Sequence, residues 1–368
     1  MNILVTGSRG FIGKNLLVHL QELDDINIIE YTEDNKVEEL EGFIKEADFI
    51  FHFAGANRPI SPDEFYQTNS DLTKNMVDLL NKNKKKIPFV FTSSIQAELD
   101  NDYGKSKKIA EDYITENYSK GLIYRLHNVF GKWCRPNYNS VVATFCHNIS
   151  HNLEIKVNDP SAEIELVYID DICEEFVRLL TADNKKKFGK INYIEPRKKI
   201  TIGELSELIK SFYNHTHSIY VPKTGDEFVK KLFATYISYV PLEEMVQDVK
   251  TNVDERGSFT ELIRTNDSGQ FSVSFSKPGI VRGNHYHNTK MERFIVIKGK
   301  AKISFKKVDS DERIEFDVSE DKIQIVTIPV GYTHNIENVG DSEMILLIWC
   351  NELFDHNHPD TYFMEVSS

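Results

Sequence analysis

The chain has 368 residues, 40% of them hydrophobic, which is enough for two cores and more than one ordinary domain needs. Its 44 lysines and arginines against 57 acidic residues leave a net charge of -13. That balance argues against nucleic acid or an anionic membrane as the main partner, and it requires any phosphate-bearing ligand to be held by local donors. No apolar run reaches the roughly 18 residues that span a bilayer, and Met1 leads straight into "NILVTG" without signal-peptide architecture. A cytoplasmic chain with no membrane insertion is therefore expected. Cys134, Cys146, Cys173 and Cys350 are scattered without a C-x-x-C pair, which predicts free thiols rather than a disulfide framework or a cysteine zinc site.

The opening "NILVTGSRGFIGKNLLVHL" reads as a short apolar strand, a Gly7-x-x-Gly10-x-x-Gly13 turn and a helix with apolar positions at Phe11, Leu16, Leu17 and Leu20. Glycines in that turn let the backbone approach a pyrophosphate, and the helix N-terminus supplies N–H donors. Further strands follow at "INIIEY", "ADFIFHFAG" and "PFVFTSS" with helical patterns between them, the order of a doubly wound parallel sheet of Rossmann type. Gly7, Arg9, Gly10, Phe11, Ile12 and Gly13 are the expected dinucleotide contacts. Glu30, ending the second strand, favours NAD through a ribose hydroxyl, whereas Arg9 favours a 2′-phosphate. The arginine sits within the turn itself, which gives NADPH.

In "FTSSIQAELDNDYGKSKKIAEDYI", Tyr103 and Lys107 lie four apart on one helix face, and Ser93 and Ser94 end the preceding strand. This set suits carbonyl reduction: the lysine lowers the phenol pKa and orients the ribose, the tyrosine donates a proton and the serine holds the carbonyl oxygen. Tyr103 and Lys107 also count among the cofactor contacts.

The motifs "TGSRGFIG", "DFIFHFAG", "FTSS", "YGKSK", "YRLHNVFG" and "LVYIDDICEEF" resemble an extended short-chain dehydrogenase/reductase acting on a nucleotide sugar. The resemblance implies a domain over residues 1–245 with Ser94 (Ser93 as fallback), Tyr103 and Lys107 as catalytic residues. It also implies that Arg125, Asn128, Lys132 and Trp133 lie near the sugar nucleotide.

From about residue 246 to 368 short alternating strands such as "FSVSFS", "FIVIKG" and "IQIVTIPVG" follow one another without a long helix, predicting an all-β barrel or jelly roll. Within it Gly279, His285, His287, Glu292 and Gly299 fit G-x5-H-x-H-x4-E-x6-G, and Pro329, Gly331, His334 and Asn338 supply a second pattern. Strand alternation puts His285 and His287 on one side, and a turn through "NTK" is expected to return Glu292 on the adjacent strand. With His334 they form a candidate metal quartet of three imidazoles and one carboxylate, a donor set suited to zinc and acceptable to iron, manganese or nickel.

These two patterns resemble the cupin superfamily, departing only where Ile323 replaces a glycine. "DERGSF" and "RGNHYH" are similar to nucleotide-sugar 3,5-epimerases, with Tyr332, Lys290 and Tyr286 as candidates for proton transfer. The chain as a whole resembles bifunctional capsular polysaccharide enzymes. In that family the cupin epimerises C3 of UDP-2-acetamido-2,6-dideoxy-β-L-arabino-hexos-4-ulose. The reductase then reduces the C4 ketone with NADPH to UDP-2-acetamido-2,6-dideoxy-L-talose, toward UDP-N-acetyl-L-fucosamine. The resemblance also implies a homodimer. An alternative is a lone reductase carrying a structural or dimerising cupin.

Overall fold

The computed structural model describes residues 1–58, 61–181 and 188–367. Its backbone divides into two compact units, Met1–Lys210 with Lys231–Val240, and Ser211–Lys230 with Pro241–Ser368. Residues 211–230, which the sequence assigns to the first domain, thus group with the second. Arg264 explains this, because its backbone accepts from Val221 N at 2.9 Å and donates to Ile219 O at 2.7 Å.

The first unit is built on six parallel strands in the order Asn27–Tyr31, Asn2–Thr6, Phe49–His52, Phe89–Ser94, Gly121–Leu126 and Ile191–Asn192. Successive side chains of a strand point to opposite faces. Ile3 and Val5 accordingly join the buried cluster that contains Leu16, Leu20, Ile172 and Phe176. Leu4 joins the other, with Met76, Leu80, Ala110 and Ile114. Helices cover both faces, as the doubly wound expectation requires. With both faces buried, a ligand is expected beyond the carboxyl ends of the strands, where Thr6, His52, Ser94 and Leu126 finish.

The second unit holds two antiparallel sheets, one of six strands and one of five. Phe294, Val296, Ile303, Phe305, Ile328, Ile336, Met344 and Leu346 from both sheets make one buried cluster, giving the predicted all-β class. The strand Gly269–Ser276 departs from ordinary patterning, because its inward positions are Gln270, Ser272, Ser274 and Ser276, all buried. Polar side chains on a core-facing stripe cost stability unless they have a task.

Candidate active site and metal centre

A cavity of about 1130 Å³ opens at the strand ends of the first unit. Gly7, Arg9, Gly10, Phe11, Ile12, Gly13, Ser93, Ser94, Tyr103 and Lys107 all line it. The helix Phe11–Gln21 starts at Gly10 with no side chain capping it, so its first N–H groups stay available to an anion. Tyr103 stands in the first turn of the helix Asp102–Asn117, whose cap Asn101 accepts from Gly104 N at 2.8 Å. A Cβ at Gly104 would come within 2.1 Å of Gln96 O. The absent side chain lets this turn press against residues 95–98 and brings Tyr103 to Ser94.

Burial pushes the Tyr103 phenol up, and a hydrogen bond with Ser94 offsets only part of that. The phenol therefore keeps its proton at neutral pH, the state a proton donor needs. Burial also pulls the Lys107 ammonium down to about 8, against the opposing pull of Glu111, and Lys107 Nζ donates to Thr92 O at 3.0 Å. Lysine was expected to depress the phenol. Instead desolvation of both groups dominates, and Ser94 is the group that lowers Tyr103. Beneath them His52 is buried between Thr6 Oγ1 at 2.6 Å and Thr73 Oγ1 at 2.9 Å, which ties the ends of two strands together.

Several expected neighbours are elsewhere. Glu30 is exposed and does not line the cavity; Glu33 does. Arg9 pairs with Asp34 at 2.5 Å. Asn128 and Trp133 line the cavity, whereas Arg125 and Lys132 do not. Arg125 is buried in a two-pronged bond to Glu111, at 2.9 and 2.8 Å, and Lys132 pairs with Asp170 at 2.6 Å. Two cations of the cavity wall were missed in sequence. Arg58 and Arg135 both stand over the ring of Tyr138, at 6.0 and 5.0 Å from its centroid, and neither has a carboxylate partner among the described residues. Both precede a proline, which holds the preceding residue extended.

In the second unit the ligand atoms of His285, His287, Glu292 and His334 lie within 4.8 Å of one another. His285 pairs with His334 across neighbouring strands, and Gly283 makes the bulge that aligns them, since a Cβ there would meet His334 O at 2.7 Å. Glu292 does not return on the adjacent strand. It belongs to the six-stranded sheet and faces the histidines of the five-stranded one, so the quartet bridges both sheets. Glu292 Oε2 stands 3.2 Å from His334 Nε2 and 3.5 Å from His287 Nε2. Burial acts to raise Glu292, but its contacts with His287 and His334 outweigh it and hold the carboxyl well below the usual range. Burial holds the His285 imidazole down, to about 4. An ionised carboxylate at Glu292 and a neutral imidazole at His285 are the protonation states of metal ligands. His287 Nε2, which faces Glu292, is buried without a hydrogen-bond partner, as a lone pair reserved for a cation would be.

A second cavity, of about 350 Å³, adjoins the quartet and is lined by His285, Glu292, Gln270, Ser272, Ser274, Arg282 and Lys290 among others. The hydroxyls of Ser272 and Ser274 are buried and unpartnered. Of the three proton-transfer candidates only Lys290 lines this cavity. Tyr286 stacks on Tyr362 at 5.2 Å, and Tyr332 packs against the core cluster.

Strand ends, glycine turn and the serine, tyrosine and lysine set define a nicotinamide-dinucleotide enzyme, and comparison with known families agrees. Residues 3–193 match the NAD dependent epimerase/dehydratase family, to which the chain belongs, and residues 252–362 match the polysaccharide biosynthesis C-terminal domain. Over 370 residues the chain is 43% identical to UDP-2-acetamido-2,6-beta-L-arabino-hexul-4-ose reductase of Pseudomonas aeruginosa, covering 100% of this chain and 99% of that one. The crystal structure of the capsular polysaccharide assembling protein CapF from Staphylococcus aureus is similar over 100% of both chains, with 47% identity and a TM-score of 0.90. A UDP-glucuronic acid 4-epimerase from Bacillus cereus, at 16% identity, 67% of this chain, 99% of that one and a TM-score of 0.56, shares the fold of the first unit. Among the described residues no helix is long and apolar enough to cross a membrane.

Proposed function

We propose that the chain is a cytoplasmic, bifunctional nucleotide-sugar enzyme. Its part up to residue 245 reduces a 4-keto sugar with NADPH, and its part from residue 246 epimerises the neighbouring C3. The substrate is a UDP-linked 2-acetamido-hexul-4-ose, as the Pseudomonas relative's name describes, in its 6-deoxy form. The observation that carries the second activity is the cavity beside the quartet: a merely structural metal needs no adjoining space, and no buried serine hydroxyls left free for a sugar.

In the reductase site the nicotinamide supplies the hydride. Ser94 holds the C4 carbonyl oxygen, Tyr103 donates its phenolic proton to that oxygen as charge develops, and Lys107 places a cation beside the ribose. Gly7, Gly10 and Gly13 with the N–H groups of Phe11 and Ile12 receive the cofactor pyrophosphate, and Arg9 its 2′-phosphate. Arg58 and Arg135 are placed to meet the sugar nucleotide's diphosphate, local donors that a chain of net charge -13 requires.

In the second site His285, His287, Glu292 and His334 hold zinc, which supplies Lewis acidity and rigidity when bound. Ser272, Ser274 and Gln270 orient the sugar, and the proton at C3 is exchanged by a group of the same wall, Lys290 being the candidate that reaches it. The 4-ketone acidifies C3 while the alcohol does not, so epimerisation precedes reduction. A homodimer is the proposed assembly, supported by the exposed edge strand Thr251–Asp254.

The reductase half is tested by following NADPH oxidation after addition of the keto sugar. Wild type should turn over, and Tyr103→Phe should lose at least a hundredfold in kcat. Equal rates in the two proteins would refute the assignment.

A further inference from the structure

Asp360 lies 73 residues beyond His287 yet touches it: His287 Nδ1 is 2.6 Å from the Asp360 carbonyl oxygen. A carbonyl can only accept, so the imidazole proton sits on Nδ1 and the Nε2 lone pair is left for the quartet. The Asp360 carboxylate accepts from the backbone N–H groups of Asn288 at 3.0 Å, Thr289 at 2.8 Å and Lys290 at 2.8 Å, and from the Thr289 hydroxyl at 3.0 Å. Those residues form the turn that separates His287 from Glu292. One residue on, Thr361 Oγ1 accepts from Lys290 Nζ at 2.9 Å.

The short strand Tyr362–Phe363 then pairs with His285 and Tyr286, and Met364 N donates to Asn284 O at 3.0 Å. Burial explains little of this strand, because Phe363 is 77% exposed and Tyr362, though stacked on Tyr286, is 46% exposed. Asp360 also adopts a φ of 32°, a left-handed backbone that costs a non-glycine residue free energy and persists only where its surroundings impose it. The bonds made by residues 360–364 therefore converge on the ligand-bearing strand and on the turn after it.

We infer that Asp360, with the strand that follows it, is a positioning element of the metal centre, setting the His287 tautomer and the spacing from His287 to Glu292. The inference rests on the metal-binding reading above. It predicts that Asp360→Ala, which keeps the carbonyl bonded to His287 but releases the turn at 288–290, weakens zinc binding by about tenfold, the low end of the usual effect of disturbing a ligand's outer support.

The test is zinc affinity of the full chain, measured by competition with a chromophoric chelator, together with the visible spectrum of the cobalt-substituted protein. Asp360→Ala should lower affinity and alter the cobalt spectrum while the metal-free protein keeps its circular dichroism. Asp360→Asn retains the shape and the main-chain carbonyl but weakens the grip on the turn. It decides the matter if the alanine variant does not fold, and a loss of affinity is expected there too. Asp355→Ala, whose carboxylate bonds Asn357 and His358 and no metal-ligand neighbour among the described residues, should bind zinc like wild type. A wild-type chain that takes up no zinc overturns the metal reading itself. Wild-type uptake with unchanged affinity and spectrum in both Asp360 variants overturns this inference alone.

Discussion

Glu111→Gln removes one charge from the buried pair that supports the reductase site. Glu111 is 2% exposed and Arg125 7%, and their two bonds of 2.9 and 2.8 Å make a full fork-to-fork contact. Breaking a buried pair by neutralising one partner costs about 3–5 kcal/mol, because the remaining charge stays desolvated. Glu98 also contacts Arg125 through a side chain that is 69% exposed, and glutamine keeps one acceptor, so the lower end, about 3 kcal/mol, is expected. In a domain of this size that corresponds to a fall of roughly 6–12 °C in Tm. The same carboxylate acts to raise Lys107, which burial holds at about 8. Without it the lysine loses its proton at still lower pH, and the alkaline limb of kcat/KM for reduction should move toward neutrality. Thermal and urea unfolding measure the first effect, and a pH–rate profile the second. Glu111→Leu combined with Arg125→Met should recover most of the lost stability, since neither charge is then stranded. A loss under about 1 kcal/mol together with an unmoved alkaline limb would refute the reasoning.

Arg135→Ala should raise KM for the UDP-linked substrate by about tenfold, one charge-assisted contact's worth, and leave the Kd of NADPH unchanged; calorimetry with UDP and with NADPH separates the two. His52 gives an acid-stability prediction, because burial first and Lys107 second hold its imidazole at about 3 against an ordinary 6.5. The unfolded chain takes up that proton below 6.5 and the folded chain does not, so stability falls as pH drops through the window from 6.5 to about 3. His52→Gln should flatten that limb in urea titrations, and an unchanged slope would contradict it.

The nucleotide-binding sheet was legible because its signals are local: apolar strand, glycine turn and amphipathic helix recur in order, and Tyr103 and Lys107 share one helix face. The quartet was legible for the same kind of reason, since His285 and His287 alternate along one strand and Glu292 follows at fixed spacing. What sequence did not show depends on pairings across long separations. Glu292 reaches the histidines from the opposite sheet, because the turn after His287 crosses between sheets. Arg125 resembles a ligand contact but is consumed by Glu111, a partner visible only once helix and strand are packed. Arg58 and Arg135 meet over Tyr138 from separate loops, and Asp360 reaches His287 from the far end of the chain. No periodicity announces either arrangement.

Exchange of the C3 proton with solvent tests the two-site reading most directly. The full-length chain is incubated with its UDP-linked 4-keto sugar in deuterium oxide without NADPH, and the sugar is examined by NMR. A bifunctional enzyme predicts deuterium at C3, retained in Tyr103→Phe, whose lesion lies only in reduction, and lost in His334→Ala. Wild-type protein that reduces the sugar with NADPH yet leaves C3 free of deuterium would contradict the epimerase activity and leave a reductase alone.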